Sequence, residues 1–565
     1  MKDNLSRLPA AFAAAAMILL GLSGQILAGT AEPSVASQHV LQAEVALHQM
    51  KYKEAAHEYR LAAEAGESVD IARQATRIGA SYGFNDDALH AAERWLELEP
   101  DSDEALFHLA RLQLRMGDTR KAKRSYEKLL EQGEGEPAER LLSLTGVLGE
   151  EEDTEAAYKV LRDLAKPYKD SPIANFAVAT LALRADDIKE AKSLVETALE
   201  QDPGEWLEMK AKLLYGRILL QEGDPDAAIA YVARLIGDDP QPDPAKRMEL
   251  ALLMLSAGRE DDALSQVNQI QYESGNNADA LRLMAIINFQ QENLDAAWED
   301  FEDLLASGEH SMDALYYLAR IADYRGQVDR AIGLYSQVKN GSRAVGAQGR
   351  AAALVALQKH APETAIKQLD EFAREQPQFA IDVIQSKAQL LAALDKYPEA
   401  LELYDRMVEY RPDSQSVALG RAELLLRMGE LDESIDQYRK TLKRWPDSAL
   451  ALNALGYTLA DRTDDYREAE RLIKKALKLD PDNPAIIDSY GWVLHKLGRN
   501  QDALVELKKA YASFDDPEVA AHIVEVLAAL DRDEEAAKML ATAVEKSPES
   551  PLLKSVRERL YPDSQ

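Results

Sequence analysis

The chain has 565 residues, 46% hydrophobic and 29% charged, with a formal net charge of −32 and no cysteine. That composition belongs to a folded globular protein rather than a disordered one, and alanine, leucine and glutamate throughout favour helix. The missing thiols exclude disulfides, thiol catalysis and cysteine-ligated metals. An acidic surface with no Lys/Arg run repels nucleic acid and anionic lipid.

The first element is an export signal. "MKDNLSRLP" carries Lys2 and Arg7, and the apolar run "AAFAAAAMILLGL" follows. At about 13 residues that run is short for a membrane span. Small residues follow it, and "GTA" before Glu32 suits a cleavage site, so residues 1–31 predict a secretory signal peptide and a periplasmic protein. An uncleaved anchor reaching Leu27 is the alternative. "LSG" before Gln25 and "LAG" before Thr30 resemble the first three residues of a bacterial lipobox, but the cysteine that a lipobox requires is absent. A lipid anchor is therefore not supported by this chain.

From residue 37 onward the sequence repeats. A small residue is followed four and seven positions later by larger or apolar ones, as in Ala55/Tyr59/Ala62, Ala122/Tyr126/Leu129 and Ala331/Tyr335/Val338. This anchor recurs at Ala88, Ala156, Ala191, Ala228, Ala263, Ala297, Ala365, Ala400, Ser434, Ala469, Ala503 and Ala536, with gaps of 33 to 37 residues. Twelve positions before it stands a small residue, including Ala110, Ala179, Gly216, Ala353 and Gly491, where two helices approach closely. Five before it stands Gly83, Gly117, Gly223, Gly258, Gly326, Gly429 or Gly498, where the first helix ends. Twelve after it a proline, such as Pro100, Pro412, Pro446 or Pro481, stops the second helix. The copies at Ala156 and Ala228 are degenerate or stretched, and the one at Ala469 has an extra residue in "LADRTDDY".

These residues resemble the tetratricopeptide repeat, a helix–turn–helix of 34 residues. The resemblance implies an all-α superhelical solenoid of about 15 repeats over residues 37–548. Residues 549–565, with "PLLKSVRERLY", supply a capping helix and tail.

No catalytic signature is present. GxSxG, GxxxxGK[ST], HExxH and the dinucleotide fingerprint are all missing. His39, His48 and His57 lie nine apart and do not align on one helix face, so no metal site is expected. No cofactor and no enzymatic activity are expected. Proteins built from stacked repeats bind partners on an extended face.

By the resemblance, residues eleven and fifteen before each anchor line that face. Among them are Arg73, Arg77, Phe107, Arg111, Arg217, Arg282, Tyr316, Arg320 and Arg350, with Tyr324 just along the helix. These predict a basic groove for acidic or carboxylate groups, because an arginine fork pairs bidentately with them. The competing reading is that each arginine pairs with an acid of its neighbouring repeat, as Asp70 and Glu104 allow. The carboxy-terminal positions differ: Asn453, Tyr457, Asp488, Trp492, His495 and Glu525 form an aromatic patch with acidic company. Trp492 is either an anchor for a partner or a ring packed on Tyr457.

The stretch from "ALNALGYTLADRTDDYREAERLIKKALKLDPDNPAIIDSYGWVLHKLGRNQDALVELKKAY" to "PEVAAHIVEVLAAL" carries a closer resemblance. It is similar to a proteobacterial family of exported, many-repeat proteins, commonly outer-membrane lipoproteins. That family includes the lipoprotein partner of a carboxy-terminal processing protease in Pseudomonas. The resemblance implies an adaptor that delivers cell-wall hydrolases to the protease. A scaffold in envelope polysaccharide synthesis or export, or in outer-membrane assembly, is the other expectation.

Overall fold

The computed structural model describes residues 34–132, 135–237, 243–275, 277–548 and 550–561. The signal-peptide reading of residues 1–31 lies outside them. The described residues form thirty-one α-helices and two short 3-10 segments, with no strand. The helices run in successive pairs, and each packs chiefly on its neighbours in sequence. The chain divides into two compact units, one ending at Val383 and the other beginning at Ile384.

Short-range chemistry sets the start of each pair. The proline that stops one repeat is followed by an acid and then by a capping residue for the next helix. Ser102, Ser414 and Ser448 accept from the backbone N–H three residues on, at 3.3, 3.4 and 3.0 Å. Asn483 accepts from Ala485 at 3.1 Å. Each cap satisfies a donor that the first helical turn leaves free, worth about 1 kcal/mol.

The turn inside each pair is a single left-handed residue. The seven glycines expected there all have positive φ, from +67° at Gly326 to +90° at Gly223. The same bend occurs where glycine is missing, at Met50, Asp186, Glu292, His360, Asp395 and Asp531, with φ between +51° and +63°. Each of these six also stands five residues before an anchor.

The anchors are the centre of the packing. All are fully buried except Ala156, which is half-buried; its neighbour Ala157 takes the buried place. That copy is thus one residue later in register than its spacing suggests. Ala353 is likewise half-buried, with Ala352 inside. Alanine fills most of the close-approach positions, but at two of them even a methyl group has no room. A Cβ on Gly491 would stand 2.6 Å from Leu507 Cγ, and one on Gly456 would stand 2.6 Å from Ile473 Cγ1.

In the second unit the last helix, Pro551–Leu560, places Leu553 and Val556 in a cluster with Ile523 and Leu540. The previous repeat would otherwise expose that apolar surface.

Candidate functional site

Six of the seven candidate arginines lie against carboxylates. Arg73 meets Asp70 at 3.1 Å and Glu99 at 3.8 Å, and Arg77 meets Glu104 at 2.6 Å. Arg111 meets Glu151 at 2.7 Å, with half-buried Phe107 beside its guanidinium at 5.8 Å. Arg217 holds Glu249 bidentately at 2.6 and 2.5 Å. Arg282 meets Asp313 at 2.6 Å, and Arg350 holds Asp323 at 2.6 and 2.9 Å.

The expectation of a basic groove is corrected here. These forks are engaged by acids, mostly from the adjoining repeat, so most of the series neutralises internal charge. Two of the acids are themselves buried: Glu151 is 5% exposed and Glu249 is 4% exposed. Glu151 is shared, since Arg115 also reaches it at 2.7 Å. Burying a carboxylate that deep is costly unless such partners replace the water it loses.

Arg320 is different. It is exposed, pairs with no carboxylate among the described ion pairs, and lies over the rings of Phe289 at 4.7 Å and Tyr316 at 5.9 Å. Tyr316 in turn is crossed by the Arg343 guanidinium at 5.2 Å, while Arg343 reaches Asp313 at 3.2 Å. Tyr324, one turn beyond Arg320, is 79% exposed. Arg320 and Tyr324 together form an open cationic and aromatic shelf in the first unit, with the guanidinium steadied by the rings below it.

The carboxy-terminal candidates converge in the second unit. The helix Pro484–Lys496 carries Asp488, Trp492 and His495, and the helix Pro517–Ala528 faces it with His522 and Glu525. Trp492 is 4% exposed and stacks on His522, ring centroids 4.1 Å apart. Its indole is therefore packed, and the partner ring is His522 rather than Tyr457. His495 flanks the same indole at 5.2 Å and bonds Asn500 at 2.9 Å. Glu525 pairs with Arg559 at 2.5 Å.

Asp488 accepts from His522 Nδ1 at 3.0 Å. Burial pushes the His522 imidazole down, but the Asp488 carboxylate outweighs it and holds the group above its ordinary value. His495 is pushed down, first by burial. The Tyr457 hydroxyl donates to Glu518 at 2.7 Å, and burial followed by that bond raises the phenol far above its ordinary value. Asn453 lies one turn before Tyr457, and its Oδ1 is buried without a hydrogen-bond partner.

A cavity of about 270 Å³ opens over Tyr457 and Asp488, and Asn453, Phe514, Asp516 and Glu518 also line it. No lysine, arginine or histidine is among its lining residues. Sequence reasoning missed Glu518 and His522 because each stands outside the two face positions, and it missed Glu151 because that acid occupies a turn. The spacing of His522 from Asp488, one repeat length, was the available signal.

Two family models, both described as Tetratricopeptide repeat, match the chain. One matches residues 176–243, 282–344, 386–449 and 419–484, and the other 83–144, 219–287 and 462–521. The chain is 37% identical over 215 residues to TPR repeat-containing protein PA4667 of Pseudomonas aeruginosa, covering 38% of this chain. It is 24% identical over 502 residues, 79% of its length, to Cellulose synthase operon protein C of Pseudomonas fluorescens. It spans 36% of the length of each of these relatives. Among solved structures it is similar to the APC/C hetero-tetramer Cut9-Hcn1, with a TM-score of 0.34, 15% identity and coverage of 93% of this chain and 96% of that one. TTC0263, a thermophilic TPR protein of Thermus thermophilus, gives 0.29 at 23% identity, over 31% of this chain and 95% of that one. With helix pairs, fully buried small anchors and these family models in agreement, the chain belongs to the tetratricopeptide repeat proteins.

Proposed function

We propose that the chain is a non-catalytic periplasmic adaptor. It binds a carboxy-terminal processing protease and presents substrates such as cell-wall hydrolases for degradation. The observation that carries this reading is chemical contrast. One unit offers the exposed Arg320 and Tyr324 on an aromatic bed, and the other an acidic cavity over Tyr457 and Asp488. Two surfaces of opposite character suit two different proteins, and tethering both raises the effective concentration of one near the other. The similarity to PA4667 supports a bacterial repeat protein of this kind.

The test is affinity capture from the periplasm, followed by a degradation assay with the captured protease. The adaptor accelerates proteolysis of a captured hydrolase; an unchanged rate sinks the reading. A second reading, a scaffold in envelope polysaccharide synthesis or export, is favoured by the similarity to Cellulose synthase operon protein C. Under that reading the same capture yields a porin or a synthase and leaves protease activity untouched.

A further inference from the structure

We propose that the cavity over Tyr457 and Asp488 takes a lysine or arginine side chain from an extended segment of a partner protein. Glu518 and Asp516 serve as its counter-charges and Asn453 as a hydrogen-bond acceptor. The identification of the occupant as a protein rests on the adaptor reading; the charge and chemistry of the subsite rest on the cavity itself.

Four observations carry it. First, the arginine–carboxylate pairing that links repeats elsewhere does not reach this cavity. In the first unit Glu151, Glu249, Asp313 and Asp323 each receive an arginine. Here the bonds between repeats run from Tyr457 to Glu518 and from His522 to Asp488. A phenol brings no charge, and although the His522 imidazole feels the Glu518 carboxylate from one turn away, neither Glu518 nor Asp516 has an ion pair among the described residues. Asp516 does have a structural task, since it accepts from the Glu518 backbone N–H at 2.7 Å.

Second, Asn453 Oδ1 is a buried acceptor with no donor. Leaving such an acceptor unmade is costly, and an ammonium or guanidinium N–H is the donor it lacks. Third, the acids are held in place. Glu518 is fixed by the Tyr457 hydroxyl, and Asp488 by a histidine that Trp492 stacks upon. Rigid carboxylates lose little entropy on accepting a cation.

Fourth, the surroundings suit a chain rather than a free cation. Phe514 stands exposed at the rim, where it can cover the methylene stem of a long side chain. The helix Ala449–Arg462 contributes Asn453 and Tyr457 to this cavity and Leu450 to a second of about 530 Å³. The amides of Gln385 and Gln389 line that second cavity and can both donate to and accept from a peptide backbone.

The test uses the full chain with photoreactive p-benzoylphenylalanine at position 514, and at exposed Tyr272 of the other unit as a control. Each protein is irradiated with a pool of random 12-residue peptides. A second pool has every lysine acetylated and every arginine replaced by citrulline. Crosslinks at 514 are expected to favour lysine- or arginine-bearing peptides by about ten-fold over position 272, the scale of one charge-assisted bond. The neutralised pool should lose that preference. Glu518→Gln should also abolish it, while Glu433→Gln, which removes the same charge from an exposed position away from the cavity, should leave it intact.

Equal labelling by both pools, no labelling at 514, or a preference that survives Glu518→Gln each overturn the proposal. The comparison of pools needs no variant of the cavity and so does not depend on the folding of Glu518→Gln. Capture of the processing protease is scored separately. A chain that prefers cationic peptides but binds no protease removes the adaptor reading and keeps the subsite. One that binds the protease and treats both pools alike does the reverse.

Discussion

Trp492 and His522 stack across the boundary between two successive repeats, their ring planes 19° from parallel. The same imidazole reaches Asp488 on the helix that carries the indole, at 3.0 Å. One histidine thus closes both an aromatic and an ionic contact between neighbouring helix pairs.

That contact makes the second unit sensitive to pH. In the fold Asp488 raises the His522 pKa above the unfolded value of about 6.5. Its contribution is complete below about pH 6.5 and is lost as pH rises through the higher folded value. His495 acts in the opposite sense: its folded pKa is lowered, so its contribution is present above about pH 6.5 and is lost as pH falls. Glu518 and Glu525 also act on His522, in the same direction as Asp488. His522→Gln should remove the loss on the alkaline side, and His495→Gln the loss on the acid side. The urea midpoint of the second unit, followed from pH 5 to 8 by near-ultraviolet circular dichroism, reads both.

Truncating the indole should be costly and replacing it mild. Trp492→Ala leaves a void between two repeats and should cost about 3–5 kcal/mol. Trp492→Phe keeps a ring on His522 and removes an indole N–H that has no acceptor, so its cost should stay below about 1.5 kcal/mol. Equal losses for the two variants, in the same urea titration, would contradict the packing described.

Gly491 offers a test of close approach with a built-in rescue. A methyl group there meets Leu507 at 2.6 and 2.8 Å and the Ala503 carbonyl at 3.3 Å. Gly491→Ala should destabilise by about 1–3 kcal/mol, even though alanine is the better helix former. Leu507→Ala alone should cost about 2–5 kcal/mol. Combining the two should cost clearly less than their sum, which a double-mutant cycle measures.

The arginines should separate into two classes. Arg217→Ala strands the buried Glu249 and should cost about 2 kcal/mol, with water at the half-exposed guanidinium limiting the loss. Arg320→Ala breaks no ion pair and should change stability by less than about 0.5 kcal/mol. Hydrogen exchange in the helix Pro244–Ser256 should speed up in the first variant and stay unchanged in the second. Under the adaptor reading, only Arg320→Glu should weaken partner capture while leaving the fold intact.

Much of the architecture was legible because period and burial coincide. The anchors are small for one reason, the crossing of two helices, and that reason recurs once per repeat. The slips at Ala156 and Ala353 are local. In both places an adjacent alanine satisfies the same steric need, so sequence spacing could not choose between them. The glycine pattern under-reported the turn, because Met50 and His360 adopt the same left-handed bend without a glycine. The site was less legible. Face positions identify which residues can meet a partner, but not which are already engaged. Arg217 and Arg320 occupy the same repeat position; only the presence of Glu249 beside one and Phe289 beside the other separates them. Trp492 stood at a face position too, and its burial follows from His522 on a helix one repeat away.

The shared left-handed bend makes the repeats interchangeable parts. Glu292 and Gly326 bend alike and stand 34 residues apart. A chain cut at both and rejoined would meet the same backbone direction on either side, short by one whole module. A cut a few residues shorter would bring a helix middle against a turn and break every contact after it. Gain or loss of entire modules is therefore the length change this architecture absorbs, and engineered variants can be shortened at these bends with the flanking pairs still in step.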